Sequence, residues 1–299
     1  MKPVTKIADV GRGISLAYEQ FGDEGAEPLV LVAGLGQQLH TWPVSLCERL
    51  ADRGYRVTRF DNRDVGESTH IRFRPPHPVS MFLGKFDPRQ YDLTDMADDT
   101  VGLLDALGYD SAHLVGASMG GMIAQTVAAL HPQRVRTLVS IMSTTGARRV
   151  GRPALTTWRL MAARPPRTRQ QAVDQAVRIF RHIGAHGFPF DEAYVRDEAG
   201  IAWDRDPSTG GTVRQLAAIF KSGNRTRQLR SVVAPTLVIH GDRDRMVNPT
   251  GGAATARAIT GARLETIRGF AHDFPAGVWP VLIDLIARHT ARRTDASAP

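Results

Sequence analysis

The chain has 299 residues, a formal charge of +8 and a single cysteine, Cys47, so an intramolecular disulfide and any zinc site of the paired-cysteine type are excluded. The length suits one large α/β core that carries an insertion. The first residues contain no apolar run of signal-peptide length, and no stretch reaches the length of a membrane span, so a cytoplasmic protein is the expectation.

In chain order, residues 4–21 alternate polar and apolar around Gly11, Arg12 and Gly13, which predicts an opening hairpin. Residues 28–34, PLVLVAG, form a continuous apolar run, as expected of a parallel strand covered on both faces. Residues 42–53 read as helix, 55–60 as strand and 93–107 as a helix with Met96, Val101, Leu104 and Leu107 at helical spacing. A strand at 112–115, an Ala-rich helix ending before Pro132 and a strand at 135–142 follow. This alternation of strand and helix points to an α/β fold with a mostly parallel central sheet flanked by helices. It stops at Ser143, and to residue 231 the pattern is helical, with candidate helices near 153–163, 168–183, 190–200 and 212–221. Alternation resumes with the strand PTLVIH at 235–240, a helix near 251–260, a strand at 263–267 and a last helix over 278–289; a short polar tail, 291–299, is expected to fray.

The charge is unevenly spread. Residues 143–231 hold 16 Arg and Lys against 7 Asp and Glu, a net of +9, which leaves −1 for the remainder. Only four basic residues of the whole chain are lysines, so we read the excess as a compositional arginine bias. Attraction to anionic substrates or lipid head groups is the competing reading. No basic motif of a nucleic-acid module occurs, so no nucleic-acid partner is expected.

The chemistry centres on Gly116-Ala117-Ser118-Met119-Gly120-Gly121, between the strand at 112–115 and the helix after it. A serine on a sharp strand-to-helix turn has an exposed hydroxyl, and small residues two positions to either side allow the bend. A nucleophilic serine also needs a base, a carboxylate to orient that base, and donors for the oxyanion. After the strand PTLVIH stands Gly241-Asp242-Arg243-Asp244, in which Asp244 is the candidate acid and Asp242 the alternative. The candidate base is His272, in the loop before the last helix. The order Ser118, Asp244, His272 is the one expected for a serine hydrolase built on such a sheet. The oxyanion donors would be the backbone amides of Met119, at a helix N-terminus, and of Leu35, in the glycine-flanked turn Ala33-Gly34-Leu35-Gly36.

Together the stretches VAGLGQQLHTWP, RFDNRDVGEST, YDLTDMADDTVGLLDALG, GASMGG, APTLVIHGDRD and GFAHDFP resemble the α/β-hydrolase superfamily, and within it the actinobacterial lipase/esterase branch related to aclacinomycin methylesterase. The likeness covers residues 10–142 and 232–290 and weakens over 143–231. It implies an α/β-hydrolase fold with a helical lid inserted after the sixth strand: a core of residues 1–142 and 232–299 and a cap of residues 143–231. It also implies a serine hydrolase that uses no cofactor, with the triad Ser118, Asp244 and His272. Many relatives carry His-Gly where this chain has Ala33-Gly34, and since the donor is the next backbone amide, the departure leaves the role intact. The stretch 61–66, DNRDVG, is read as a buried structural turn near the site, without chemistry of its own.

Gly34, Met81, Phe82, Trp158 and Trp203 are candidates for the substrate pocket; Met81 and Phe82 lie in the long apolar connection 70–90, which with the cap would form the entrance. His182 and His186 are spaced for one helical face, but Gly184 intervenes and no carboxylate completes a set, so no metal is expected. The expected partner is a small-molecule ester, a lipid ester among the options, cleaved through an acyl-enzyme. The same triad serves perhydrolases, thioesterases, lactonases and C–C hydrolases, which the residues do not separate. Epoxide hydrolases and dehalogenases are disfavoured because they use an aspartate where this chain has Ser118. A non-catalytic receptor would have no need of all three groups.

Overall fold

The computed structural model describes residues 3–184 and 186–291; the side chain of Phe82 and residues 292–299 of the tail expected over 291–299 lie outside the described residues, and Ala291 ends the last helix. Its strands are β1 (Lys6–Asp9), β2 (Ser15–Phe21), β3 (Glu27–Val32), β4 (Tyr55–Phe60), β5 (Ala112–Ala117), β6 (Val135–Ile141), β7 (Thr236–Gly241) and β8 (Arg263–Ile267). They form one sheet in the order β1-β2-β4-β3-β5-β6-β7-β8. The β1–β2 hairpin joins the edge antiparallel through β2 and β4, and all strands from β3 onward run parallel. Their C-terminal ends therefore share one rim, where open α/β sheets present functional loops.

Successive side chains of a strand point to opposite faces, and β3 shows why its apolar run is unbroken. Leu29 and Leu31 pack with Leu46 and Leu50 of α1 (Val44–Ala51) and Leu282 and Ile286 of α11 (Trp279–Ala291). Val30 and Val32 pack on the other face with Met96 and Leu103 of α3 (Leu93–Ala106) and Ile123 and Val127 of α4 (Met119–Leu130). A capping box starts α3: the Asp92 carboxylate accepts from the Thr94 amide at 2.8 Å, and Asp95 accepts from the Asp92 amide at 2.9 Å.

Two short helices escape the periodicity, because four or five residues complete barely one turn. One is α2 (Pro78–Phe82), inside the connection expected to be irregular. The other is α9 (Thr226–Leu229), so the chain between β6 and β7 holds not four helices but α5 (Leu155–Met161), α6 (Arg169–Ile183), α7 (Glu192–Arg205), α8 (Gly210–Ser222) and α9. A further helix, α10 (Thr250–Ala258), links β7 to β8.

The arginines of this insertion are not all free surface charge. Arg205 of α7 reaches Asp61 (2.8 Å) and Glu67 (3.2 Å), and Arg214 of α8 reaches Asp64 (2.7 Å). Part of the local excess is thus neutralised by carboxylates following β4.

Candidate active site

Ser118 sits between β5 and α4 with φ +54 and ψ −118, a conformation that costs a non-glycine residue on the order of 1–3 kcal/mol. The surroundings impose it. Its amide donates to the Ile141 carbonyl at 2.9 Å, while its own carbonyl accepts from Ser143 Oγ at 2.8 Å and the Met122 amide at 3.2 Å. The glycines are equally constrained: a Cβ on Gly116 would lie 2.2 Å from the Gly120 carbonyl oxygen, and one on Gly120 would lie 2.1 Å from that of Val32. Because α4 begins at Met119, its first-turn amides and the positive end of its dipole adjoin the serine.

His272 brings the other two groups together. Its Nε2 lies 3.0 Å from Ser118 Oγ and its Nδ1 lies 2.8 Å from Asp244 Oδ2. With Nδ1–H donating to the carboxylate, Nε2 carries the lone pair that faces the hydroxyl. The Asp244 side chain is closed to solvent, and its Oδ1 accepts from the amides of Met246 and Val247, each at 2.8 Å. Burial pushes its pKa up, but the rings of His272 and His240 outweigh burial and hold the carboxyl below the usual range. Asp242, the alternative acid, is exposed and accepts from the Gly269 amide at 2.7 Å.

His240, which sequence reasoning missed, is the second imidazole at this carboxylate. Its Nε2 lies 2.8 Å from the Val247 carbonyl, which can only accept, so the proton is on Nε2, and that atom stands 3.3 Å from Asp244 Oδ2. The available signal was its position in β7, four residues before the acid.

The candidate oxyanion turn follows β3. Gly34 is buried, and a Cβ there would lie 3.4 Å from Ser118 Cβ, so the turn touches the serine. The Gln37 amide donates to the Gly34 carbonyl at 3.2 Å, closing a turn whose third residue, Gly36, has φ +65. That bond does not use the Leu35 amide.

Beside this turn lie residues 61–66. Asp61 is fully buried and accepts from the amides of Leu39 (2.6 Å) and Glu67 (3.1 Å) as well as from Arg205. Burial raises its pKa against the pull of that guanidinium. Asp64 accepts from Tyr91 Oη at 2.7 Å and from Arg214, and Arg63 forms a bidentate pair with Asp99. Asp61 and Asp64 thus bind this stretch to α7 and α8, contacts invisible without the partners on those helices.

The candidate pocket residues are dispersed. Met81 is buried in α2, which packs on α8; Trp158 of α5 is 40% exposed; Trp203 of α7 is half-buried. An open cavity of about 310 Å³ is lined by Phe180, Arg181, Gly184, His186, Phe188 and Phe190. It adjoins the loop of His272, whose amide donates to the Ile183 carbonyl at 3.0 Å. His182 Nε2 is taken up by Thr157 Oγ1 at 3.0 Å.

Comparison with known proteins gives a consistent set. The family described as alpha/beta hydrolase fold matches residues 27–275. Rhodomycin D methylesterase DauP of Streptomyces sp. (strain C5) is 27% identical, covering 94% of this chain and 96% of its own length. Rhodomycin D methylesterase DnrP of Streptomyces peucetius has the same identity and coverage. Among solved structures, the enol-lactonase from Burkholderia xenovorans LB400 superposes with a TM-score of 0.75 at 22% identity, over 95% of this chain and 99% of that one, a likeness of fold.

Proposed function

The chain belongs to the alpha/beta hydrolase fold family, and on that premise we propose that it is a carboxylic ester hydrolase working through an acyl-enzyme on Ser118. The observation that carries this reading is the unbroken chain from Ser118 Oγ through His272 to Asp244, at 3.0 and 2.8 Å. As Ser118 Oγ attacks the ester carbonyl, its proton passes to His272 Nε2, and the buried carboxylate of Asp244 stabilises the imidazolium and fixes its tautomer. The carbonyl oxygen becomes an oxyanion received by the amides of Leu35 and Met119. His272 then protonates the departing alcohol, and a water activated by the same imidazole cleaves the acyl-enzyme.

The kinship with two rhodomycin D methylesterases over nearly the whole chain supports a methyl ester as substrate. A lipid ester fits the same chemistry. Helices α5–α9 act as the cap, with Met81, Trp158 and Trp203 contributing to the entrance, and Gly34 leaving room beside Ser118. No helix among the described residues is long and apolar enough to cross a membrane.

A fluorophosphonate probe tests the reading directly. Intact-mass and peptide analysis should find a single phosphonyl adduct on Ser118, competed by p-nitrophenyl butyrate. Labelling elsewhere, or none, would remove the nucleophile from the account.

A further inference from the structure

Residues 33–36 form three consecutive peptide groups, one held by Asn62 after β4, one by Gln37 of the same turn and one by Gln215 of α8. A peptide group is planar, so fixing its carbonyl fixes the direction of the amide on its other side. The Ala33 carbonyl accepts from Asn62 Nδ2 at 3.0 Å, which orients the Ala33–Gly34 plane. The Gly34 carbonyl accepts from the Gln37 amide at 3.2 Å, and that plane contains the Leu35 N–H. The next plane, Leu35–Gly36, is fixed from outside the core: the Gly36 amide donates to Gln215 Oε1 at 2.8 Å. Gln215 belongs to α8, is fully buried, and spends its other end on the Arg63 carbonyl, with Nε2 donating at 2.7 Å.

We propose that Gln215 is a positioning residue for the oxyanion turn, so that helix α8 of the insertion is part of the catalytic framework and not only a cover. The inference rests on the serine-hydrolase reading above. Without Gln215 the Leu35–Gly36 plane loses its hydrogen-bonded side-chain partner, and the adjoining Gly34–Leu35 plane, which carries the Leu35 amide, keeps the 3.2 Å turn bond as its hydrogen bond. The site is tight in the same place: a Cβ on Gly36 would lie 2.8 Å from Thr212 Oγ1, one turn earlier on α8. The helix itself cannot drift, because Arg214, next to Gln215, is bound bidentately by Asp64, and a Cβ on Gly211 would lie 1.7 Å from the Asp64 carbonyl oxygen. Gln215 therefore transmits a fixed helix position to two peptide groups of the core, Leu35–Gly36 and Arg63–Asp64.

The effect belongs to the transition state, since the oxyanion forms only there. Gln215→Met keeps length and apolar volume while removing both hydrogen bonds; Gln215→Asn keeps the amide but withdraws it by one methylene. For hydrolysis of p-nitrophenyl butyrate, each is expected to lower kcat by roughly 10- to 100-fold, less than the loss of a donor outright, with KM within about twofold. An aryl trifluoromethyl ketone reports the same site: Ser118 Oγ adds to its carbonyl carbon, the serine proton moves to His272, and the carbonyl oxygen becomes the hemiketal oxyanion. Its Ki should weaken by the same factor as kcat. A folded Gln215→Met variant with wild-type kcat and Ki overturns the proposal, as does a rise in KM with Ki unchanged, which would make Gln215 a pocket residue. If Gln215→Met does not fold, the same readings on Gln215→Asn decide. Absence of both hydrolysis and hemiketal formation in the wild-type enzyme would instead strike the underlying serine-hydrolase reading.

Discussion

Asp64 and Arg214 meet across 150 residues of chain, with guanidinium nitrogens 2.7 and 2.9 Å from the two carboxylate oxygens and the carboxylate closed to solvent. One lies just after β4 and the other in the middle of α8, so the pair ties that helix to the loop at the C-terminal end of β4.

Removing one side of such a pair strands the other. In Arg214→Ala, Asp64 would keep only Tyr91 Oη and the Ile71 amide as partners, and a buried carboxylate so exposed is expected to cost about 3–5 kcal/mol of stability. Urea denaturation followed by circular dichroism checks this, and a loss under about 1 kcal/mol would mean that the pair is not what holds α8.

The two aspartates after β7 should behave differently. Asp244→Asn leaves shape intact but takes the charge from behind His272, and kcat for p-nitrophenyl butyrate should fall by about 10⁴. Asp242→Asn, remote from the imidazole, should stay within a few-fold of wild type. The reverse ranking would transfer the acid to Asp242.

Glu198 supplies a pH dependence. Burial raises its pKa to about 7, with Arg59 opposing and Asp197 adding to the rise, and its Oε2 faces His40 Nε2 at 3.6 Å without a hydrogen-bond partner. A carboxyl whose pKa is higher folded than unfolded binds more protons in the folded state, so stability falls as pH rises from about 4.5 through 7. Glu198→Gln should therefore melt higher than wild type at pH 8, by roughly 2 °C or more, and at nearly the wild-type temperature at pH 5. Identical melting differences at both pH values would contradict the raised pKa.

What could be read from the chain alone follows from the reach of each signal. β3 announces itself because both faces are covered, and α3 because it has a cap and a full stripe of apolar residues. Ser118, Asp244 and His272 were named because each stands at a strand end marked by glycine, and the structure brings these three within hydrogen-bond distance. Arg205, Arg214 and Gln215 carry no such mark. Their partners lie 144 to 179 residues away, and a helix face gives no hint of which arginine meets which aspartate. His240 escaped for another reason: it stands in an apolar strand and reads as core. Helices α2 and α9 were missed for want of length.

The most direct measurement is hydrolysis of p-nitrophenyl butyrate by the wild-type protein and Ser118→Ala, at matched concentration and with both shown to be folded. The account predicts measurable turnover for the wild type and a kcat lower by on the order of 10⁶ for the variant, at the floor of detection. Equal rates in the two proteins would contradict it.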